Sequence, residues 1–207
     1  IDESLHRLQT SHVDLLQFHE IIRLEDPDRI FGEDGAVRAV EDARRAGKLR
    51  FVGFTGHKDP IVHLRMLDMA AENGFEFDTI QMPLNVFDAH FRSFEHAVLP
   101  LAMQRGIGVL GMKSIGNGKI LDAKVVSAAE CLRYAISLPV ATVISGIDSM
   151  SILQQTLAAV RDFQPLTPSE RAGLLARTKE AASAGRFERF KTSDEFDATA
   201  RNHAWLG

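Results

Sequence analysis

The stretch GKLRFVGFTGHKDP, Gly47 to Pro60, holds a complete change of structure. Gly47 follows the amphipathic run Ala36 to Ala46, where a residue at ease in the left-handed region closes a helix. Leu49 to Phe54 (LRFVGF) is mostly apolar without strict alternation, as expected of a strand covered on both faces. Polarity then rises at Thr55-Gly56-His57. Asp59-Pro60 supplies an N-cap and a first-turn proline for a helix running to about Asn73, stopped by Gly74. Helix, strand, polar end and helix in this order make a βα unit.

The same unit recurs on both sides. Val13 to Phe18 (VDLLQF) precedes it as a strand ending in His19-Glu20. Thr79 to Met82 is a short strand followed by a long loop with Gln81 and Asn85. Arg92 to Arg105 reads as a helix closed by Gly106, and Ile107 to Met112 as a strand ending in Lys113-Ser114. Asp122 to Ser137 reads as helix, Ala141 to Ser145 as strand, and Ser149 to Phe163 as helix. Thr167-Pro168-Ser169-Glu170 opens one more helix with a threonine cap. From about Gly185 the chain is polar with scattered Phe187, Phe190, Phe196 and Trp205, so 186–207 is expected to be a tail. Five strands alternating with helices predict parallel βα units. An open doubly wound sheet and part of a closed barrel both satisfy the pattern. In either, chemistry gathers at the carboxyl ends of the strands, and each run here turns polar or glycine-rich at that end.

Composition narrows the function. The 207 residues carry 24 Lys plus Arg against 28 Asp plus Glu, a net charge of -4, with no basic stripe. No nucleic-acid partner is expected. No apolar run nears the roughly 18 residues of a membrane span, and no signal peptide is evident. Cys131 is the one cysteine, so no internal disulfide forms and a cytoplasmic setting is expected. There is no P-loop and no G-x-G-x-x-G after a strand. His57/His63 and His90/His96 are spaced six apart, not the i, i+4 of zinc helices, so no metal site is expected.

The spacing of several motifs resembles the aldo/keto reductases. Ser4, Leu5, Arg7, Leu8, Val13, Asp14, Leu15, Leu16 and His19 fall on that family's third-helix and fourth-strand signature. Gly47 to His57 is similar to its fifth strand, and Gln81 with Asn85 to its Q-x-x-x-N pattern. Gly108 to Leu121 resembles the seventh strand and loop, and Val143 to Met150 the eighth. The resemblance covers about residues 1 to 165. It implies an α/β fold that is a partial TIM (β/α)8 barrel: about five parallel βα units, strands 4 to 8, plus a C-terminal helix. A whole barrel needs about 250 residues, with roughly 200 as the floor. Ile1 to Leu8 already reads as helix. The expectation is therefore one domain whose first three units are missing.

The resemblance also implies an NAD(P)(H)-dependent oxidoreductase acting on a small carbonyl or alcohol. His19 matches the catalytic histidine, and Gln81 the residue that holds the nicotinamide carboxamide. Thr55-Gly56 stands where the family has serine-asparagine, so Thr55 keeps a hydroxyl and Gly56 offers no amide. Met112 replaces the aromatic residue stacked on the nicotinamide. Lys113 replaces a small residue and reaches toward a cofactor phosphate; nothing in the sequence lowers its pKa, and no Schiff base is expected. Gly116 and Gly118 bring backbone close to a pyrophosphate. Ser145, Gly146 and Ser149 precede a helix N-terminus suited to phosphate. Asp148 stands where a basic residue often meets the adenosine 2'-phosphate, tilting the expectation from NADP to NAD. The family's proton-donating tyrosine and its aspartate and lysine belong to the missing units, so this chain alone is expected to be nearly inactive. The alternative is a non-catalytic nucleotide-binding or regulatory relative.

Overall fold

The structure, a computed structural model, describes residues 1–161, 163–202 and 204. Its centre is a five-stranded parallel sheet in the order β1 (Val13–Phe18), β2 (Leu49–Thr55), β3 (Thr79–Pro83), β4 (Gly108–Met112), β5 (Thr142–Val143). Each strand pairs with its neighbour in sequence, and the order never reverses. A doubly wound sheet needs such a reversal to put helices on both faces. Right-handed crossovers running one way leave the helices on one face, as in a barrel wall. The two readings left open by periodicity are thereby separated.

The register shows the consequence. Leu15 pairs with Phe51, Gln17 with Gly53, Thr55 with Gln81, Gln81 with Leu110 and Pro83 with Met112, so these residues share one face. On the other face Phe18, Val52, Phe54, Ile80, Met82 and Val109 are buried in the main apolar core. Phe54 and Phe77 meet edge-on at 4.8 Å, with Phe31 and Phe75 continuing the aromatic cluster. The first face is only half covered, and Phe51 remains 42% exposed.

The helices that cover the sheet begin where local chemistry starts them. α1 (Asp2–Leu8) precedes β1, and α3 (Ala36–Arg45) precedes β2. In α4 (Pro60–Glu72) the Asp59 carboxylate accepts the Ile61 amide at 3.0 Å. α8 (Ala128–Ser137) starts later than predicted because a Ser127/Glu130 capping box fixes its N-terminus. The short α7 (Lys119–Asp122) occupies the preceding turn. α10 (Pro168–Ala182) opens with the predicted cap, Thr167 with Glu170. The single helix expected over 92–105 is two, α5 (Phe94–Ala97) and α6 (Leu99–Gln104), because Pro100 has no amide to continue the ladder. An unforeseen α2 (Glu25–Phe31) is anchored by Asp26, whose carboxylate accepts the Ile22 and Arg23 amides at 2.9 and 2.8 Å. α9 (Met150–Arg161) buries no residue and leaves Met150 and Val160 exposed beside the edge strand β5. The predicted end of that helix includes Asp162, outside the described residues.

The segment expected to be a tail folds back over the strand ends. It contains α11 (Arg189–Thr192) and α12 (Ala198–Arg201); Trp205 lies outside the described residues. Lys191 is fully buried, its Nζ 2.6 Å from Asp88 Oδ1, 2.7 Å from the Phe91 carbonyl and 3.2 Å from Glu188. Asn85 donates to Glu188 Oε1 at 3.0 Å and to the Lys113 carbonyl at 3.3 Å, and accepts the Phe87 and Asp88 amides. A buried ammonium is tolerated only with such saturation, and removing one member of a buried ion group costs about 3–5 kcal/mol. Asn85 therefore braces the loop after β3 and ties it to the C-terminal segment.

Candidate active site

At the carboxyl ends of β1 to β4 lies a cavity of about 160 Å3, lined by His19, Glu20, Thr55, Gly56, His57, Gln81, Met112, Lys113 and Phe196. Five of the predicted site residues, His19, Thr55, Gln81, Met112 and Lys113, open onto it together. His19 follows β1 and is exposed; Thr55 ends β2 and is buried. Gln81 points into the half-covered face. Its Oε1 accepts from Gln17 at 3.3 Å, and its Nε2 donates to the Met112 sulfur at 3.4 Å. The first contact is long and the second is to a weak acceptor. Exchanging them for a ligand amide would lose little. Thr79 Oγ1 and Gln17 Oε1, on the same face, are buried without a partner among the described residues.

Two wall residues sit in left-handed backbone: Glu20 at φ 61° and Lys113 at φ 59°. Neither is glycine, and such conformations cost on the order of 1–3 kcal/mol and gather at functional sites. Lys113 Nζ lies 5.9 Å from the Phe190 ring centroid, 5.4 Å from Phe196 and 3.2 Å from Asn117 Oδ1. Burial lowers its pKa, which no local pattern announces, because the two rings come from a segment distant in sequence. Gly56 has a steric reason. A Cβ there would fall 2.0 Å from the Ile21 carbonyl oxygen and 2.8 Å from the His63 ring. The asparagine of the family pattern has no room, because the chain after β1 stays against β2, with the Ile21 amide donating to the Thr55 carbonyl at 2.9 Å.

The remaining predicted residues lie elsewhere. Gly116 and Gly118 have φ of 55° and 82° in a tight turn. Their amides already donate to the Lys113 and Ile115 carbonyls at 2.8 and 2.9 Å. Only Gly118 still offers close approach: a Cβ there would meet nothing within 4 Å, whereas Gly116 is buried and a Cβ on it would fall 2.8 Å from the Ile120 side chain. Ser145 lines a separate space of about 270 Å3, with Leu132, Val140, Val143 and Val160 among its walls, and its hydroxyl has no partner among the described residues. Gly146, Asp148 and Ser149 are exposed ahead of α9, where the Ser149 hydroxyl accepts the Ile152 amide at 3.3 Å.

Phe196 and Asp197 carry no role in the sequence reading, and Glu20 and His57 enter it only as polar residues at strand ends. Phe196 closes the cavity from the C-terminal segment. Both Glu20 carboxylate oxygens accept amides at the start of α12, from Ala198 and Thr199. Asp197 takes Lys58 Nζ at 2.6 Å and faces His57 Nε2 at 3.3 Å. Burial lowers the His57 pKa, against the opposing pull of Asp197. Glu20, His57 and Asp197 bring ligand atoms within 4.8 Å of one another. Residue spacing along the chain does not reveal this group, because it is assembled from three distant segments. Amides and an ammonium already occupy its carboxylates, which makes it a hydrogen-bonded clamp. The signal available in sequence was the polar end of the second strand and the i, i+3 pair Phe187/Phe190. Tyr134, by contrast, is fully buried, and its hydroxyl donates to Glu95 at 2.6 Å beside Arg171. It braces helices away from the cavity.

Residues 1–129 match the Aldo/keto reductase family. The chain belongs to the aldo/keto reductase family. It is 25% identical to L-galactose dehydrogenase of Arabidopsis thaliana, across 80% of this chain and 58% of that one. It is 30% identical to the uncharacterized oxidoreductase YrpG of Bacillus subtilis, across 65% of this chain and 38% of that one. Among solved structures, the aldo-keto reductase AKR11C1 from Bacillus halodurans in its holo form superposes with a TM-score of 0.64 at 21% identity, covering 85% of this chain and 64% of that one. That likeness supports the fold: an α/β chain with the parallel sheet of this barrel family. The chain thus spans 58% of the length of its plant relative.

Proposed function

We propose that this chain is the cofactor-facing part of an NAD(P)(H)-dependent oxidoreductase that interconverts a small carbonyl compound and its alcohol. One observation carries the reading: His19 and Gln81, from different strands, open onto one cavity. The Gln81 carboxamide is both donor and acceptor, as recognition of a nicotinamide carboxamide requires. When bound, the reduced nicotinamide supplies a hydride. Met112 offers a polarizable thioether to a ring face, and the Thr55 hydroxyl lies on the same wall. His19 is placed to donate a hydrogen bond to a carbonyl oxygen, stabilising charge that develops there.

At about 160 Å3 the cavity is smaller than the roughly 300–1,000 Å3 of most ligand sites. It suits a nicotinamide head, with the rest of a dinucleotide running outward over Lys113, Gly116 and Gly118 toward Ser145, Gly146, Asp148 and Ser149. The carboxylate of Asp148 favours a free ribose hydroxyl over a 2'-phosphate. A reducing, cytoplasmic setting fits the buried Cys131, whose thiol burial pushes up to about 12. Among the described residues no helix is long and apolar enough to cross a membrane.

Titration with NADH and NADPH, followed by nicotinamide fluorescence, tests this reading. Saturable enhancement by at least one is expected, weakened about tenfold or more by Gln81→Ala. No response to either rejects the oxidoreductase reading; a response indifferent to the substitution rejects the Gln81 assignment.

A further inference from the structure

On the dinucleotide path proposed above, the ammonium of Lys113 is left without a partner anion. Lys113 follows β4 and lines the same cavity as His19 and Gln81. Its head is turned to the C-terminal segment. Nζ lies 5.4 Å from the ring centroid of Phe196, which also lines the cavity, and 5.9 Å from that of Phe190. Ring faces attract a cation without neutralising it. Among the described residues the one hydrogen bond of this ammonium goes to Asn117 Oδ1 at 3.2 Å, a neutral acceptor. An ammonium carries three donors, so two remain for a ligand. Burial alone moves its pKa, and no carboxylate pulls against it.

We propose that the Lys113 ammonium binds the carboxylate of the substrate, so that the carbonyl compound taken by this cavity is a small 2-oxo acid and the alcohol its 2-hydroxy acid. The proposal rests on the oxidoreductase reading and adds a substrate class to it. The surroundings select a single negative charge. Lys113 is the only Lys or Arg lining the cavity, while Lys58 is held by Asp197 at 2.6 Å. His57, on the same wall, is kept neutral: burial lowers its pKa, the Lys113 charge adds to that, and Asp197 opposes it. Glu20 also lines the cavity with both oxygens accepting α12 amides, and its charge resists a dianion such as a phosphate ester. The cavity measures about 160 Å3, so charge and carbonyl must lie within a few bonds of each other.

Lys113 would bind and orient, and transfers nothing. Held at its carboxylate from the end of β4, the substrate presents its carbonyl oxygen to His19 at the end of β1. Two grips from separate strands fix an orientation that one hydrogen bond leaves free. The backbone of Lys113 supports this role. Its φ of 59° is one that glycine adopts without cost and a lysine does not. That geometry sets the direction in which the side chain leaves the strand, toward the two rings. A neutral carbonyl compound of the same size gains nothing from the ammonium, which is how the site would tell an acid from an aldehyde or a ketone.

The test is NMR on the full chain with carbon-labelled lysines, following the Lys113 ε-methylene during titration with pyruvate and, separately, with its uncharged methyl ester. Pyruvate is expected to move the signal saturably, and the ester to leave it in place. Lys113→Met is expected to weaken pyruvate binding about tenfold or more, read from the Gln81 side-chain amide, as loss of a charge-assisted hydrogen bond does. If that variant fails to fold, the comparison of acid with ester in the unmutated chain decides alone. The pyruvate titration is then repeated with NAD+ or NADP+ at saturation, and the shift is expected to persist. A signal taken over by the coenzyme, so that pyruvate no longer moves it, gives the ammonium to the coenzyme's phosphates and overturns the proposal. An equal response to acid and ester, or none to either, also overturns it, while coenzyme binding that depends on Gln81 leaves the oxidoreductase reading standing. Absence of any coenzyme response removes that reading and this proposal with it.

Discussion

The two faces of the sheet are built from the same strands and do opposite work. The helix-covered face is a continuous apolar layer in which Val52, Phe54, Ile80 and Met82 have no exposed surface. The other face carries Gln17, Thr79, Gln81 and the half-exposed Phe51, with Gln17 Oε1 and Thr79 Oγ1 lacking partners among the described residues. The first face is close-packed and determines the fold. The second leaves hydrogen-bonding capacity unused, which a structural face seldom does and a binding face requires. The C-terminal segment covers only the upper end of that second face, and there it brings charge as well as apolar surface.

The sharpest way to break this contrast is to truncate one ring on each face. Phe54→Ala should lower unfolding free energy by about 3–5 kcal/mol, as a buried aromatic leaves a cavity. Phe51→Ala should cost less than about 1 kcal/mol, because its ring is already partly in water. Urea unfolding of both variants makes the comparison. Equal losses would mean that the second face is as tightly covered as the first.

A second contrast lies in pH. Burial pushes the His63 pKa down from 6.5 to about 3. The unfolded chain then binds the proton more readily than the folded one between those values. The stability His63 permits is complete above pH 6.5 and falls toward pH 3, by up to about 1.4 kcal/mol for each pH unit. Glu188, at the joint of the C-terminal segment, moves the other way. Burial, helped by nearby Asp88, raises it to about 7, against the pull of Lys191 and Asn85. Its contribution is complete below about pH 4.5 and is lost as pH rises through 7. Urea midpoints should rise with pH between about 3 and 4.5, below the window in which Glu188 opposes the trend, and His63→Leu should flatten that rise. Amide exchange in 186–202, corrected for intrinsic rate, should quicken as pH rises from about 4.5 to 7 and level off above it, and Glu188→Gln should remove the effect. A segment whose protection is independent of pH would show that this joint does not set its docking.

Much of the first face could be read from the chain. Val13 to Phe18, Leu49 to Phe54 and Ile107 to Met112 are apolar runs bounded by glycine or charge, and the Asp59 and Thr167 caps carry their own start signals. The order of the strands in the sheet could not be read there, because it is a property of pairing. The site was legible where a strand ended in a polar residue, as at His19 and Gln81. It was not legible where a residue acts through distant partners. Lys113 acquires its aromatic surroundings from Phe190 and Phe196, His57 its orientation from Asp197, and Gly56 its necessity from the Ile21 carbonyl. None of these leaves a local pattern. The 92–105 helix was misread because its periodicity continues through Pro100 although its hydrogen bonds cannot.

One imidazole, His19, and one carboxamide, Gln81, from the ends of the first and third strands, face a shared pocket that we propose takes a nicotinamide coenzyme. The direct measurement follows the His19 ring and the Gln81 side-chain amide by NMR while NAD+ or NADP+ is added to the chain. Both signals should move along a single saturation curve for the same coenzyme, with the Gln81 amide moving further. Signals that stay fixed, or that follow different curves, would contradict it.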